Sequence, residues 1–280
     1  MKKYLFTLAC IALLSIFWAC QRNINDATVA DDFNYPDYGG QTTAIDSKIN
    51  ISIVVESEKA DADIALALLT EKVYPSAGYS IIGGIIKAGN VYKIYLKDIG
   101  IPEIGAAIMC PAFTKFSLSK PAPGNYGLDI YVNGHLVKGV FAVTGDIYAL
   151  TIRSNDYIST VNETINRIPQ NLIWGQAESI NPAPYQAFLD SLTILGAQQH
   201  NLQTGDYYFF KIDSQRNIHI NSVIGMANGG YFIYTFPGDT ILIRNLVKRF
   251  AKRYADSIYI QLVGSRGERY YSTVLKKESW

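Results

Sequence analysis

Between residues 124 and 152 the chain spells out three strands and the turns that join them. Gly124-Asn125 opens with a turn, and Tyr126, Leu128, Ile130 and Val132 then alternate with smaller or polar residues. Asn133-Gly134 follows, the return run is Leu136 to Val143, Gly145-Asp146 turns again, and Tyr148, Leu150 and Ile152 alternate once more. An Asn-Gly pair supplies the two positive-φ residues that a tight hairpin needs, so it fixes the register of the strands on either side. Alternation at period two sends one side chain in two to the same face, and that face must be buried against something.

The same grammar recurs upstream. Ile49, Ile51, Ile53 and Val55 alternate, and Tyr79–Ile86 and Val91–Leu96 flank the turn Lys87-Ala88-Gly89-Asn90. Phe113–Leu118 is a further short strand. Residues 64–73 fit two patterns: Ala and Leu favour a helix, while Ile64, Leu66 and Leu68 alternate as in a strand. Short strands at regular spacing predict a β-sandwich over residues 48–155. Tyr126–Ile152 resembles the last strands of an immunoglobulin-like module, without the Cys…Trp…Cys core of that family.

Residues 156–180 read as a connector. Over 181–280 the periods mix. Tyr185, Phe188, Leu189, Leu192 and Leu195 share a helical face behind Asn181 and Pro182, and Asp239 opens a second helix with the stripe Ile243, Leu246, Val247, Phe250 and Tyr254. Strands are expected at Tyr207–Ile212, Ile218–Val223, Tyr231–Phe236, Ile258–Val263 and Tyr270–Leu275. The order predicts a C-terminal α+β domain with helices on one face of a largely antiparallel sheet. With 280 residues, 49% of them hydrophobic, two such domains can each bury a core. The net charge of +1 gives no basic excess of the kind that marks a nucleic-acid binder.

The N-terminus carries an address. Lys2 and Lys3 precede an uncharged run from Tyr4 to Trp18, and Ala19-Cys20 leads into the polar Gln21-Arg22-Asn23. A basic start, an apolar run too short for a comfortable membrane span and a small residue before the break make a secretory signal over residues 1–19. With Cys at the break it resembles a bacterial lipoprotein signal, although Phe17 and Trp18 stand where that class prefers Leu and a small residue. The resemblance implies lipid attachment at Cys20, a membrane partner through that anchor and, from Gln21, the outer membrane of a bacterial envelope. Residues 20–47 are polar and turn-rich and read as a spacer.

Chemistry is sparse. His135, His200 and His219 stand in no zinc-ligand spacing, and no GxSxG, GxxxxGK[ST] or GxGxxG occurs. Cys110 is the lone cysteine beyond the signal region and reads as a small apolar residue. The basic run Arg244, Lys248, Arg249, Lys252 and Arg253 falls opposite the apolar stripe of its helix, as a solvated face does. Glu56, Glu58, Asp61 and Asp63 form a polar connection without a calcium loop. Neither metal nor cofactor is expected. The reading is an envelope module that binds a protein or glycan, with Tyr207, Tyr231 and Tyr270 as exposed ligand contacts. A hydrolase of envelope polymers and a structural subunit of a surface assembly are the alternatives.

Overall fold

The structure is a computed structural model, described for residues 33–35, 38–153, 155–220, 226–275 and 277. Cys20 and the signal segment lie outside the described residues. The molecule is mostly β, with few helices.

The expected alternations fold as strands. In chain order they are β1 (Thr42–Ala44), β2 (Ile49–Val55), β3 (Ile64–Tyr74), β4 (Ser80–Ala88), β5 (Val91–Gly100), β6 (Cys110–Ser119), β7 (Gly124–Val132), β8 (His135–Val143), β9 (Ile147–Ile152), β10 (Ile158–Thr160) and β11 (Thr164–Asn166). They form one large curled sheet in the order β10-β2-β3-β6-β4-β5-β7-β8-β9-β11, with β1 added beside β5. The Asn133-Gly134 turn sets β7 against β8 in unbroken register from Gly124–Val143 to Val132–His135, with both turn residues at positive φ. The ambiguous 64–73 run is strand. Its alternating Ile64, Leu66 and Leu68 are fully buried, and pairing on both sides, to β2 and β6, outweighs the helical propensity of Ala and Leu. One core collects inward residues of the whole sheet, among them Ile51, Leu66, Phe116, Ile94, Ile130, Phe141 and Leu150.

Within the segment expected to be a spacer, Phe33, Tyr38 and Ile45 pack on the sheet. The Phe33 ring lies on the bare backbone of Gly84 and stacks on Tyr95 at 4.5 Å, and Tyr95 stacks on Tyr131 at 4.8 Å. Tyr38 lies on Gly100, and Ile45 is buried in the core. Polar composition hid this because glycines on the sheet, not apolar partners nearby in sequence, provide the seats. The stretch expected to be a connector is likewise structured: it supplies β10 and β11 and leads into the central strand of the second sheet.

That second sheet has the order β13-β17-β12-β18-β19, all antiparallel. It is built from β12 (Leu172–Ser179), β13 (Gln198–Gln199), β17 (Asn228–Thr235), β18 (Ile258–Gly264) and β19 (Arg269–Tyr271). Between them run α1 (Pro182–Ile194), the small sheet of β14 (Gly205–Asp206), β15 (Phe210–Ile212) and β16 (Ile218–Ile220), α2 (Thr240–Tyr254) and, last, α3 (Ser272–Leu275). Alternation along β12 separates two cores. Ile173 and Ala177 join Phe188 and Leu192 of α1 and Ile243, Val247 and Phe250 of α2. Leu172 and Trp174 join Tyr207, Phe210 and Ile212 under the small sheet.

Three expectations are corrected here. The apolar run Tyr207–Ile212 is not one strand: Tyr208 takes a left-handed φ of 69°, its N–H held at 2.6 Å by Asp206 Oδ1, so pairing starts only at Phe210. The last strand ends at Tyr271, because the Ser272 hydroxyl accepts the Ile260 N–H at 3.0 Å in place of a strand carbonyl and α3 begins. Lys248, expected on the solvated face of α2, is 5% exposed, since the buried face of that helix also takes in Ala251 and is wider than a single stripe.

The two parts meet along a tight seam. Ala60 N–H donates to Ser265 O at 2.8 Å, and Arg269 pairs with Glu58. Around Val55, Ala62, Tyr148, Ile168 and Tyr207 only about 10 Å³ of space is left.

Candidate binding site

The small sheet does not cover the second sheet completely, and a pocket of about 340 Å³ opens where it stops short of β13 and β17. Its apolar lining is Leu202, Ile212, Ile218 and Ile233; its polar lining is Gln199, His200, Asn201 and Arg216. Each wall has a local cause. β13 pairs Gln198 and Gln199 with Thr235 and Tyr234, and His200 N–H donates to Ile233 O at 3.3 Å, which lays this segment along the sheet edge. Opposite it, the β15–β16 turn is wound around Asp213, whose Oδ1 accepts the N–H of Gln215 at 2.9 Å and of Asn217 at 2.8 Å. That turn places Arg216, itself at a φ of 70°, so that its guanidinium donates to Leu202 O at 2.7 Å and to Asn201 Oδ1. The arginine thus clips one wall of the pocket to the other.

His200 is the titratable base of this lining. Burial pushes its pKa below the ordinary value, so the ring is neutral near pH 7, and its Nδ1 is buried without a partner among the described residues. The preceding helix stops at Ile194, so His200 lies beyond its end. A neutral imidazole can both donate and accept, and the amides of Gln199 and Asn201 can do the same. The pocket therefore offers an apolar floor with a small set of orienting polar groups, the composition of a small-ligand site.

A second hollow, of about 370 Å³, lies on the large sheet between Leu136, Val137, Lys138, Arg153, Asn155 and a His135–Tyr157 ring stack at 4.3 Å. A polar cluster occupies the remaining half-face of the second sheet. Glu178, 3% exposed, accepts from Gln176 Nε2 at 2.8 Å and from Met226 N–H at 2.9 Å, with Tyr259 and Gln261 alongside on β18. Burial raises the Tyr259 hydroxyl pKa, and the neighbouring Tyr271 and Glu178 push the same way.

The three tyrosines singled out from sequence are not brought together. Tyr207 is buried, stacked on Phe210 at 4.8 Å with its hydroxyl on Gln203 O, and is a core residue rather than an exposed contact. Tyr270 packs toward the helical core and donates to Thr240 O at 3.2 Å. Tyr231 is half-buried, opposite Gln176 in the polar cluster. The polar pocket residues Gln199, His200, Asn201 and Arg216 were missed because they lie on short segments without period; the one available signal was the Asp213-Ser-Gln-Arg-Asn turn next to His219. His219 itself is exposed and bonded to Asp213 at 2.8 Å. Among the described residues, no group of three or more His, Cys, Asp or Glu is gathered closely enough to hold a metal, and no helix is long and apolar enough to cross a membrane.

No protein-family model matches the chain, and no curated protein or solved structure shows significant similarity to it.

Proposed function

We propose that this is a lipid-anchored protein of the bacterial cell envelope, held to the outer membrane through Cys20, that binds an envelope glycan in the pocket beside His200. The observation that carries the binding half is the pocket's lining. Leu202, Ile212, Ile218 and Ile233 make an apolar floor for the face of a sugar ring. Gln199, His200 and Asn201 offer paired donors and acceptors for its hydroxyls. A volume of about 340 Å³ suits a ligand of one or two rings. No carboxylate and no hydroxyl stands among those eight lining residues, which favours binding over hydrolysis at this place.

The envelope half rests on the basic, apolar and Ala19-Cys20 pattern of the N-terminus. The large sheet serves in this reading as an immunoglobulin-like sandwich that carries the binding domain. In support, β4 and β6 touch through a single registered pair, Ser80–Phe113, and the strands on either side of that junction share one core.

Two measurements test the proposal. Cells fed a clickable fatty acid should label the wild-type chain and not Cys20→Ala; equal label in both would remove the anchor. Binding of a panel of envelope oligosaccharides, followed by calorimetry, should fall at least tenfold in His200→Ala, the loss expected for one good hydrogen bond and its desolvated surroundings. Unchanged affinity in His200→Ala, or no binding to any member, rules out this pocket as the glycan site.

A further inference from the structure

The strongest feature outside the pocket is a set of large apolar side chains in water. The loop between β5 and β6 spans residues 101–109; after the exposed Glu103 it runs Ile104-Gly105-Ala106-Ala107-Ile108-Met109, six exposed residues without a charge. Ile104 is 93% exposed, Ile108 60% and Met109 62%. The patch continues onto the sheet. Met109, Pro111 and Phe113 alternate along one side of the chain as it enters β6, Val73 of β3 is registered with Pro111, and Val73 and Phe113 are themselves nearly half exposed. Scattered single exposed apolar residues are ordinary; a contiguous group of five marks an interaction surface.

The loop is braced in this posture. Ala106 O accepts the N–H of Ala77 at 2.9 Å and of Ile108 at 2.7 Å, and Gly105 sits so close to Ser76 and Ala77 that a Cβ there would meet the Ala77 carbonyl at 2.6 Å. The backbone is thus pinned to the β3–β4 turn while the side chains project outward.

We infer that this knob inserts into the acyl layer of the membrane to which the chain is tethered, and this rests on the lipid-anchor reading. Shape selects the occupant: a convex protrusion with a side chain as exposed as Ile104 needs a partner that flows around it, and a bilayer does so without a matching pocket. Tether length agrees. Twelve residues lie between Cys20 and Phe33, a reach of at most about 45 Å, so the folded part stays within a few nanometres of lipid. The path of the chain agrees too: the N-terminal segment passes the root of the loop, with Tyr38 on Gly100 and Ile101 N–H donating to Gln41 O at 2.9 Å. The lipid anchor then supplies residence and the knob supplies orientation.

The test uses the full lipidated chain in phosphatidylethanolamine–phosphatidylglycerol vesicles with brominated acyl chains, comparing Ile104→Trp with Thr151→Trp and subtracting the wild-type signal. Co-flotation with the vesicles reads the anchor; bromine quenching reads insertion. We expect co-flotation of both and quenching of residue 104 at least threefold stronger than of residue 151, abolished by adding Ile108→Asp. These side chains are exposed, so all variants should keep the wild-type melting temperature. Co-flotation without selective quenching overturns insertion and leaves the anchor standing; absence of both overturns the two together. A dimer in detergent that Ile108→Asp dissociates would assign the patch to a second copy instead.

Discussion

Gly175 sits in the middle of β12, registered with Phe232 on one side and Leu262 on the other. A Cβ built there would fall inside the envelope of the Gln261 carbonyl oxygen, 2.9 Å from the carbonyl carbon and 3.0 Å from Leu262 Cα. The Gln261 oxygen would be only 1.9 Å from that Cβ, so β18 would have to recede by more than about 1 Å along this stretch to reach ordinary contact. The obstruction is backbone, and no rotamer change relieves it. Overpacking costs about 1–3 kcal/mol where side chains can move, and losing two or three ladder hydrogen bonds between β12 and β18 adds about 1 kcal/mol each. Gly175→Ala should therefore destabilise by roughly 3–5 kcal/mol, a large part of the 5–15 kcal/mol of an ordinary domain. Urea unfolding followed by fluorescence reads it, because Trp174 is buried next door. Gly230→Ala is the control. Its Cβ would meet only the Tyr185 hydroxyl, the far end of a movable side chain, and it should cost less than about 1 kcal/mol. Equal unfolding midpoints for the two variants would refute the reasoning.

Other perturbations follow from single contacts. Glu178→Ala strips the acceptors from Gln176 Nε2 and Met226 N–H inside the sheet and should cost about 2–3 kcal/mol by the same urea assay. Asp213 is held at about 2, foremost by the His219 ring, then by the Asn217 amide and the backbone N–H groups of Asn217 and Gln215. Its folded value lies below the ordinary 3.8, so its contribution is complete above about pH 4 and is lost as pH falls through about 2. Asp213 carboxyl shifts in NMR should titrate there, and the midpoint should rise toward 3.8 in His219→Ala. Phe33→Ala uncovers the Tyr95 ring and the Gly84 backbone and should cost about 1–2 kcal/mol, with faster amide exchange at β1 and β5 before any change in β18.

How much of this was legible depends on how locally each feature is encoded. The β7–β8 hairpin was readable because both its register and its buried face are fixed by adjacent residues, Asn133-Gly134 and the alternating set from Tyr126 to Val143. Helix α2 was readable for the same reason, Asp239 accepting the Ile241 N–H at 2.8 Å at its start. The 64–73 segment stayed open because its decision is made by β2 and β6, up to 55 residues away in register (Ile64 with Ser119). The packing of Phe33 and Tyr38 was invisible because a glycine on a sheet surface reads as a turn or bulge in one dimension and as a flat seat for a ring in three. The pocket was hidden in the same way: Leu202, Ile218 and Ile233 come from three segments, and Arg216 reaches its post only because Asp213 winds the turn that carries it.

The positions of pocket and apolar knob matter together because the molecule joins them stiffly. Ser265, 2% exposed at the end of β18, is the junction. Its carbonyl accepts the Ala60 N–H at 2.8 Å, its N–H donates to Leu172 O at 2.8 Å, and its hydroxyl accepts the Leu172 N–H at 2.9 Å. One buried residue thus ties the β2–β3 connection of the large sheet to the first residue of β12, with the Glu58–Arg269 pair beside it. A hinge would need exposed backbone and few buried contacts, and this seam has neither. A membrane that seats the 104–109 loop would accordingly hold the His200 pocket at a set height and bearing.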